Sequence, residues 1–460
     1  FLLKSFEVGG LEVVTTTLAN KFQKEGHKVV IWTFSEGKTS LVSRLDENVK
    51  LVYGVGFNLS KCNINALRTV LIDEKIQIVI NQWGLPFIPA YVLKKASRGI
   101  PVKIIAVYHN DPSTNGRLKD VEIAMEKNRN IVVYLGLKMK YWLYRQITAA
   151  SMRYVYRNSD RYMVLSQSFV EGFKKFTGIR KADRLIVQTN PITIDISDYN
   201  YDFERKKKEL VFVGRLDYTQ KRVSRIIETW SLLEHKHADW ILRIVGDGPE
   251  RDNIEHMVQK LELKNVRFEG FQYPRSYYEI ASILILTSEY EGFGLVVAEA
   301  MSFGVIPVVL GSYSAIYDLL VDGENGIIVP YSHKDGFNAN VMANALERLM
   351  NDRILCQKMT LNANRHRRFY SIEPITKECN QKMKKIIKLG MVALTALTMA
   401  GCSSESEDVK TITVGISPDY APYESENKKG DIVGFDPDMM KCFEEYLSEE
   451  EGVTYKLEMK

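Results

Sequence analysis

Apolar runs alternate with helical patterns along the first 190 residues of this 460-residue chain. Short apolar runs predict strands, and longer segments with apolar residues at intervals of three or four predict the helices between them. Strands that alternate with helices are typical of a parallel α/β sheet. The predicted strands are residues 1–3, 28–34, 49–53, 76–80, 102–108 and 161–165, and the predicted helices are residues 11–25, 86–98, 132–157 and 167–176.

A second α/β pattern begins after a polar segment at residues 191–208. Its predicted strands are residues 210–213, 241–245, 266–268, 283–286 and 306–310, with helices between them. Further helices are predicted from residue 338 to about residue 382. A chain of 460 residues exceeds what one hydrophobic core usually supports, so we expect more than one domain. We predict two Rossmann-like domains at residues 1–190 and 209–335, a linker at 191–208 and closing helices at 336–382.

One strand-to-helix turn of the second pattern carries the clearest chemical signal. It follows the predicted strand at residues 283–286 and contains Glu291, Gly292, Phe293 and Gly294, with Glu299 further along the helix. Glycines let a backbone approach a ligand closely, and free N–H groups at the start of a helix attract phosphate. Two carboxylates at this spacing also occur on ordinary solvated helices. The flanking segments favour the interpretation as a ligand site.

This turn closely resembles the paired-glutamate signature of the retaining glycosyltransferases of family four. The resemblance covers roughly residues 1–380 and implies the GT-B fold, in which two Rossmann-like domains face each other across a cleft that holds a nucleotide-sugar donor. It implies that Glu291 lies nearest the donor sugar and that Glu299 accepts hydrogen bonds from the ribose. Gly292, Phe293 and Gly294 would line the donor.

Sugar transfer from a nucleoside diphosphate builds negative charge on the leaving phosphates, which basic side chains or a metal ion must stabilise. Arg215 and Lys221 follow the predicted strand at residues 210–213, as the family's basic pair does, and a solvated basic loop is the alternative. Many relatives have glycine after the lysine, where this chain has Arg222. No Asp-x-Asp metal motif occurs before residue 383. We therefore expect no metal and no cofactor, with a UDP- or GDP-sugar as substrate.

Four further residues complete the expected site. Gly246 lies in a turn that resembles the family's turn beside the nucleotide, although a tight turn without a ligand is nearly as good an interpretation. Gly9 and Gly10 follow the first strand, where family members have a glycine loop close to the diphosphate and the acceptor. His109 follows another strand, and carboxyl ends of parallel strands are where α/β folds place ligands. The resemblance implies that His109 contacts the donor sugar and is not a nucleophile.

A basic and aromatic stretch extends from Lys127 to Arg161. It contains eight basic residues and one acidic residue, Asp160. A helix with basic and aromatic flanks fits the surface of an anionic membrane. A core helix with a solvated basic face is an equally good interpretation. No nucleic-acid motif accompanies these charges, so we expect no nucleic-acid partner.

The chain changes character near Met383. From residue 403 to the end, 15 acidic and 6 basic residues give a net charge of −9, which leaves +14 for the residues before it. Residues 383–402 have the charged start, apolar middle and small-residue end of a secretory signal peptide. The last of them resemble the cleavage box of bacterial lipoproteins, in which Cys402 would be lipidated. The other four cysteines are scattered, which suits a reducing cytoplasm.

Residues 403–460 resemble the opening of the periplasmic amino-acid-binding proteins of ABC transporters. The segment is far too short for the two lobes of such a protein, so we expect an appendage that forms only part of an α/β binding-protein lobe. We interpret the chain as a joined gene, in which a glycosyltransferase lacking its first residues runs into the start of a lipoprotein. A true fusion is the minor alternative.

Together these features predict a cytoplasmic, metal-independent, retaining glycosyltransferase, peripheral on the inner face of the cell membrane. Its partners would be a nucleotide-sugar donor and a lipid-linked or oligosaccharide acceptor, and its role would be bacterial surface-polysaccharide biosynthesis. Two alternatives stay open. One is a nucleotide-sugar epimerase of the same fold, and the other, suggested by the tail alone, is an amino-acid-binding lipoprotein.

Overall fold

A computed structural model describes residues 1–394, except residues 8, 38, 39, 129 and 333, together with five short strands of the tail. Side chains are described as far as residue 384, apart from residues 366–368. By packing, the chain divides into two compact units. The first contains Phe1–Tyr108, Thr148–Met163 and Cys379–Lys460, and the second contains His109–Ile147 and Val164–Glu378. The domain boundaries expected from the sequence stay predictions.

The first sheet has seven strands in the order β3-β2-β1-β4-β5-β6-β7. The pairings of β1 with β2 and β4, of β2 with β3, and of β4 with β5 are parallel. The chain reverses its direction of travel across the sheet between β1 and β4, which is where doubly wound folds bind ligands. The strands are β1 (Leu2–Ser5), β2 (Val30–Ser35), β3 (Lys50–Tyr53), β4 (Ile78–Asn81), β5 (Lys103–Tyr108), β6 (Arg161–Val164) and β7 (Leu185–Val187).

Six helices accompany these strands. Two of them begin at side-chain caps, because the Ser60 hydroxyl accepts from the Asn63 N–H and the Asn115 amide oxygen accepts from the Leu118 N–H. Such caps satisfy N–H groups that have no partner inside the helix. The helices are α1 (Gly10–Lys24), α2 (Lys61–Asp73), α3 (Phe87–Ala96), α4 (Gly116–Lys127), α5 (Ile131–Arg157) and α6 (Phe169–Thr177).

Two hydrophobic clusters cover the opposite faces of the first sheet. Leu2 and Trp32 belong to the cluster that includes residues of α2 and α3, whereas Leu3 and Ile31 belong to the cluster that includes residues of α1. Neighbouring residues of one strand point to opposite faces, so each strand contributes to both clusters. This is why strands buried on both faces read as continuous apolar runs in the sequence.

The second sheet has six strands in the order β10-β9-β8-β11-β12-β13, and every strand pair in it is parallel. Its strands are β8 (Lys207–Val213), β9 (Ile241–Val245), β10 (Val266–Gly270), β11 (Ala281–Leu286), β12 (Ile306–Leu310) and β13 (Ile327–Val329). The helices that follow in the chain are α7 (Ser224–Ser231), α8 (Arg251–Lys260), α9 (Arg275–Ile280), α10 (Leu295–Ser302), α11 (Ile316–Leu319), α12 (Ala339–Asn351), α13 (Arg353–Tyr370) and α14 (Ile372–Leu394).

The strands and helices expected from the sequence are present, with ends that differ by a few residues. Four elements were not expected: α2, α4, β7 and β13. Strand β8 begins at Lys207, inside the segment predicted as a linker, because its first two residues are exposed lysines that carry no apolar signal. The closing helices also extend further than predicted, because α14 continues through Met383 to Leu394.

The tail contributes strands but no described side chains. β14 (Val409–Val414) pairs in parallel with β18 (Thr454–Met459). β15 (Asp419–Tyr420), β16 (Glu424–Glu426) and β17 (Ile432–Val433) form an antiparallel sheet. The lipidation candidate Cys402 lies outside the described residues. The resemblance of the tail to a binding-protein lobe stays a prediction.

The first turns of α14 generate a test of which C-terminal residues the fold requires. Cys379 and Met383 pack against the α1-side cluster, and the Asn380 amide donates to Glu25 at 2.7 Å. Loss of such apolar contacts costs about 1.5–3 kcal/mol per fully buried side chain, and less for these half-buried ones. A chain that ends at Lys384 should keep the melting temperature of the full chain, and one that ends at Glu378 should melt lower. If the chain that ends at Lys384 unfolds, the tail belongs to the fold.

Candidate active site

The turn after β11 is held against the backbone of His109. A methyl group on Gly292 would lie 1.7 Å from the His109 carbonyl oxygen, so only glycine fits there. Gly294 has φ +83°, a left-handed conformation that favours glycine, and α10 starts directly after it at Leu295, as expected. The close approach at Gly292 was expected to involve a ligand. In the structure it involves another part of the protein.

Two residues predicted separately, Lys221 and Glu291, form an ion pair. The Lys221 Nζ lies 2.5 Å from one Glu291 carboxylate oxygen, and Gln220 donates to the other at 3.2 Å. The two charged side chains are only 12% and 10% exposed. Gln220 also donates to the Tyr290 carbonyl and accepts from the Glu289 N–H. These bonds fix the loop after β8 to the turn after β11.

The loop after β8 has a local reason for its shape. The Asp217 carboxylate accepts from the Gln220 and Lys221 N–H groups, which closes a turn. Arg222 has φ +52°, a conformation that is uncommon for residues other than glycine. This accounts for the glycine that many relatives have at this place. Its guanidinium carbon lies 4.1 Å from the centre of the Tyr218 ring, so side-chain stacking accompanies the unfavourable backbone conformation.

Arg215, the second predicted cation, lies in the same loop but is more exposed to water than Lys221. Its side chain is exposed and makes no hydrogen bond or ion pair with any described residue. Gly246, predicted beside the nucleotide, directly follows β9 and has φ +149°. A methyl group on Gly246 would lie 1.8 Å from the Gly214 carbonyl oxygen, so strand packing alone requires glycine there. Its nucleotide contact stays a prediction.

Glu289 forms a second buried charge cluster beside the turn, which the sequence did not reveal. Arg225 donates to its carboxylate at 2.6 Å, and the Tyr331 hydroxyl donates at 3.2 Å. Burial raises the pKa of Glu289, but Arg225 and Arg222 lower it more, so the net pKa lies below its ordinary value. The carboxylate therefore stays charged at neutral pH. No periodic pattern marks Arg225 or Tyr331 as its partners.

Glu299 and Phe293 face protein groups. The Thr193 hydroxyl donates to the Glu299 carboxylate at 2.5 Å, and burial raises the pKa of Glu299 to about 7. Phe293 is buried, with its ring centre 5.4 Å from that of Tyr370. The ribose contact of Glu299 stays a prediction, and Thr193 is a neighbour that its sequence context did not suggest.

His109 follows β5 directly, as expected from its position at a strand end. Its Nδ1 lies 3.5 Å from the Asn190 amide nitrogen. Burial lowers the pKa of His109 to about 4, so the imidazole is neutral at physiological pH. A neutral imidazole can exchange a hydrogen bond with a sugar hydroxyl, which is the role that the resemblance implies.

Gly9 and Gly10 lie in the other compact unit, at the start of α1. A methyl group on Gly9 would lie 2.5 Å from a carboxylate oxygen of Glu12, whereas one on Gly10 would meet nothing within 4 Å. Burial raises the pKa of Glu12 to about 7. Glu12 is thus a titratable group next to the predicted glycine loop that the sequence analysis missed.

Two searches of the described residues gave negative results. They contain no cluster of three or more histidine, cysteine, aspartate or glutamate residues arranged to hold a metal ion. None of their helices combines the length and the apolar character that crossing a membrane requires.

Comparison with known proteins identifies the family. A model described as Glycosyltransferase Family 4 matches residues 8–196, and one described as Glycosyl transferases group 1 matches residues 195–366. The crystal structure of Anabaena HepE with UDP and glucose superimposes with a TM-score of 0.63 at 15% identity, over 83% of this chain and 99% of HepE. The chain is a glycosyltransferase with the GT-B fold. TarM, another solved structure, gives a TM-score of 0.62 at 14% identity, over 83% of this chain and 98% of TarM.

Curated relatives of this glycosyltransferase fall into two groups by coverage. An uncharacterised glycosyltransferase of Haemophilus influenzae is 30% identical to this chain over the matched region. That region covers 43% of this chain and 54% of the relative. The GalNAc-α-(1→4)-GalNAc-α-(1→3)-diNAcBac-PP-undecaprenol α-1,4-N-acetyl-D-galactosaminyltransferase of Campylobacter jejuni is 24% identical over 82% of this chain and 96% of its own length. An amylovoran biosynthesis glycosyltransferase of Erwinia amylovora is 28% identical over 30% of this chain and 39% of its own length. These similarities favour neither the epimerase nor the binding-lipoprotein alternative.

The raised pKa of Glu299 predicts a pH-dependent gain in stability for Glu299→Gln. A carboxyl group whose pKa rises on folding stabilises the protein fully below about pH 4.5, and that contribution is lost as the pH rises through about 7. Glutamine keeps an acceptor for Thr193 and does not titrate. The melting temperature of the variant, relative to the wild type, should therefore be higher at pH 8 than at pH 5. A difference that does not change with pH would contradict the buried carboxyl.

Proposed function

We propose that this glycosyltransferase moves a sugar from a nucleotide-diphosphate-sugar, such as a UDP- or GDP-sugar, to a lipid-linked or saccharide acceptor with retention of anomeric configuration. We place it in bacterial surface-polysaccharide biosynthesis and propose that it uses neither a metal nor another cofactor. The observation that carries the proposal is the arrangement of Arg215, Lys221 and Glu291 at the carboxyl ends of β8 and β11. Lys221 and Glu291 form an ion pair there, Arg215 lies in the same loop as Lys221, and α10 begins four residues after Glu291.

The charges of this site match the charges that develop in sugar transfer. The leaving diphosphate gains negative charge, which Arg215, Lys221 and the free N–H groups of α10 would stabilise. The sugar carbon gains positive charge, which the Glu291 carboxylate would stabilise. Lys221 is held by Glu291 in the structure described here, so binding of the diphosphate would draw the lysine away and free the carboxylate for the sugar.

Retention follows in this proposal from attack on the face that the leaving group occupies. The departing phosphate would help to remove the proton of the acceptor hydroxyl, so no dedicated base is needed. The neutral imidazole of His109 would hydrogen-bond the donor sugar, and Glu299 would accept from the ribose hydroxyls. Gly9 and Gly10 would lie close to the diphosphate and the acceptor, and Gly246 would lie beside the nucleotide.

Arg215 and Lys221 offer a matched pair of variants for this mechanism. Each alanine variant should lower kcat by roughly 100-fold or more, the scale of losing a charge stabiliser of the transition state. Arg215→Ala should leave the melting temperature unchanged, because the exposed side chain has no described partner. Lys221→Ala should also destabilise the protein by about 3–5 kcal/mol, because it leaves Glu291 buried without its cation.

Chelation gives the complementary measurement. The wild type should keep its activity in EDTA, because side-chain cations take the place of a metal ion. Loss of activity in EDTA that manganese restores would contradict the metal-independent mechanism. Full activity of Arg215→Ala would contradict the proposed role of that loop.

Relatives and structural neighbours support the substrate classes. The Campylobacter jejuni relative carries an undecaprenyl-diphosphate-linked acceptor in its name, and HepE was crystallised with UDP and glucose. A TarM variant from Staphylococcus aureus was crystallised with α-GlcNAc-glycerol and UDP. We infer from them a UDP-sugar as the first donor class to test. Thermal-shift screening against UDP-, GDP- and ADP-sugars should give its largest stabilisation with one of the UDP-sugars.

We further propose that the first half of α5 docks this enzyme on an anionic membrane. Val132 is 74% exposed, Met139 73% and Trp142 60%, although large apolar side chains are normally covered. The basic side chains Lys138 and Lys140 are exposed in the same stretch. We call this surface the α5 patch, and its exposed apolar members are Ile131, Val132, Val133, Tyr134, Leu135, Met139, Trp142 and Leu143.

Such a patch combines the two contributions that hold an interfacial helix. Apolar side chains enter the boundary between headgroups and acyl chains, and each nearby basic residue contributes about 1 kcal/mol at an anionic surface. We accordingly place the enzyme in the cytoplasm, on the inner face of the cell membrane. Residues 383–402 and the tail would derive from a periplasmic or surface lipoprotein, with Cys402 as its lipidation site.

Vesicle co-sedimentation tests the α5 patch. Wild-type protein should bind vesicles that contain phosphatidylglycerol, strongly at low salt and weakly at high salt, because salt screens the basic residues. The double variant Val132→Glu, Trp142→Glu should lose this binding. Ile354→Glu is a matched control, since Ile354 is 82% exposed but lies on α13. Equal binding of wild type to neutral vesicles, or none to either kind, would favour the solvated-face interpretation.

A further inference from the structure

Two buried hydroxyl groups near the turn after β11 have no hydrogen-bond partner among the described residues. They belong to Tyr313 and Ser288, which are 3% and 1% exposed. Ser288 precedes the turn along the chain, and Tyr313 follows β12, the neighbouring strand of the sheet. Buried hydroxyls without a partner are uncommon, because removal of the group from water costs free energy that only a hydrogen bond offsets.

The Tyr313 hydroxyl is placed at the turn itself. It would lie 3.0 Å from a methyl group on Gly294, the residue that connects the turn to α10. Burial raises the pKa of Tyr313 well above its ordinary value, and the charge of Glu291 raises it further.

The fold gives no reason for a hydroxyl at this position. Leu319 and Val297 each have a methyl carbon 3.6 Å from the same methyl position on Gly294 that the hydroxyl approaches, so apolar side chains share its surroundings. Phenylalanine would fill the same volume as Tyr313 without an unpaired polar atom. Tyr162 and Tyr278, two other deeply buried tyrosines, donate to the carbonyl oxygens of Gly84 and Val296. Tyr313 departs from that rule at the place where the donor is proposed to bind, and such departures are expected at functional sites.

We propose that the Tyr313 hydroxyl binds the sugar moiety of the donor and helps to select it. The inference rests on the proposed function and extends it to a residue outside the paired-glutamate motif. The partner would be a ring hydroxyl or an acetamido oxygen of the sugar. The sugar and not the nucleoside is implicated because the Tyr313 hydroxyl lies beside Gly294, in the turn that also carries Glu291, the residue assigned to the sugar. Glu299, the residue assigned to the ribose, accepts a hydrogen bond from the Thr193 hydroxyl.

Calorimetry with two ligands tests the proposal. The ligands are the nucleotide sugar that gives the largest thermal shift in the screen above and its free nucleoside diphosphate. Tyr313→Phe should bind the nucleotide sugar about tenfold more weakly than the wild type, the effect of losing one hydrogen bond, and should bind the free diphosphate equally well. Its melting temperature without ligand should not fall, because no protein hydrogen bond is lost.

Tyr162→Phe is the matched control. It removes a hydroxyl that donates to the Gly84 carbonyl at 2.9 Å, so it should lower the melting temperature and leave both affinities unchanged. Wild-type affinity of Tyr313→Phe for both ligands would overturn the inference. Equal weakening for both ligands with a lower melting temperature would overturn it too, because the residue would then be structural. Failure of the wild type to bind any nucleotide sugar would instead overturn the proposed function.

Discussion

The ion pair between Lys221 and Glu291 is the interaction on which the candidate site depends. Both side chains are nearly buried, so their charges have lost most of their hydration, and each charge is tolerable only because the other lies beside it. The pair joins the loop after β8 to the turn after β11. Gly292, the next residue of that turn, meets the His109 carbonyl. The turn after β11 thus contacts the loop after β8 through a pair of opposite charges and the backbone of His109 through a glycine.

A pair of this kind suits a substrate that carries both kinds of charge. A nucleotide sugar presents a diphosphate anion next to a carbon that becomes cationic during transfer. In the free enzyme the lysine and the glutamate neutralise each other. In the complex the lysine would pair with the diphosphate and the glutamate with the sugar carbon. The enzyme would then have no unpaired buried charge in either state. An unpaired buried charge would cost much free energy. Arg215 differs because its side chain is exposed to water and needs no charged partner in the free protein.

The sequence was informative about what lies at each strand end and uninformative about what those residues contact. Apolar runs and the glycine turn predicted both sheets and the positions of Lys221, Glu291 and His109, because these features are local. The pairing of Lys221 with Glu291 depends on how two loops fold towards each other, and no residue spacing encodes it. The same reason explains why Thr193, the partner of Glu299, was missed.

Missed elements have other physical causes. Helices α2 and α4 begin at the capping residues Ser60 and Asn115, and sequence reasoning could have used this signal. Strand β13 has three residues, too few for a periodic pattern. Gly292 occupies a position that only glycine fits, but a glycine in a sequence indicates only that something comes close. Whether a ligand or a carbonyl oxygen approaches it is visible only in three dimensions.

The affinity of Glu291→Gln for the free nucleoside diphosphate tests the central claim most directly. If Glu291 holds the lysine that the diphosphate needs, its neutralisation releases Lys221, and the free diphosphate should bind several-fold more tightly than it binds the wild type. Sugar transfer by the same variant should fall sharply, because the carboxylate proposed to face the sugar is gone. Calorimetric titration gives the affinity. A diphosphate affinity equal to or weaker than that of the wild type would contradict the account.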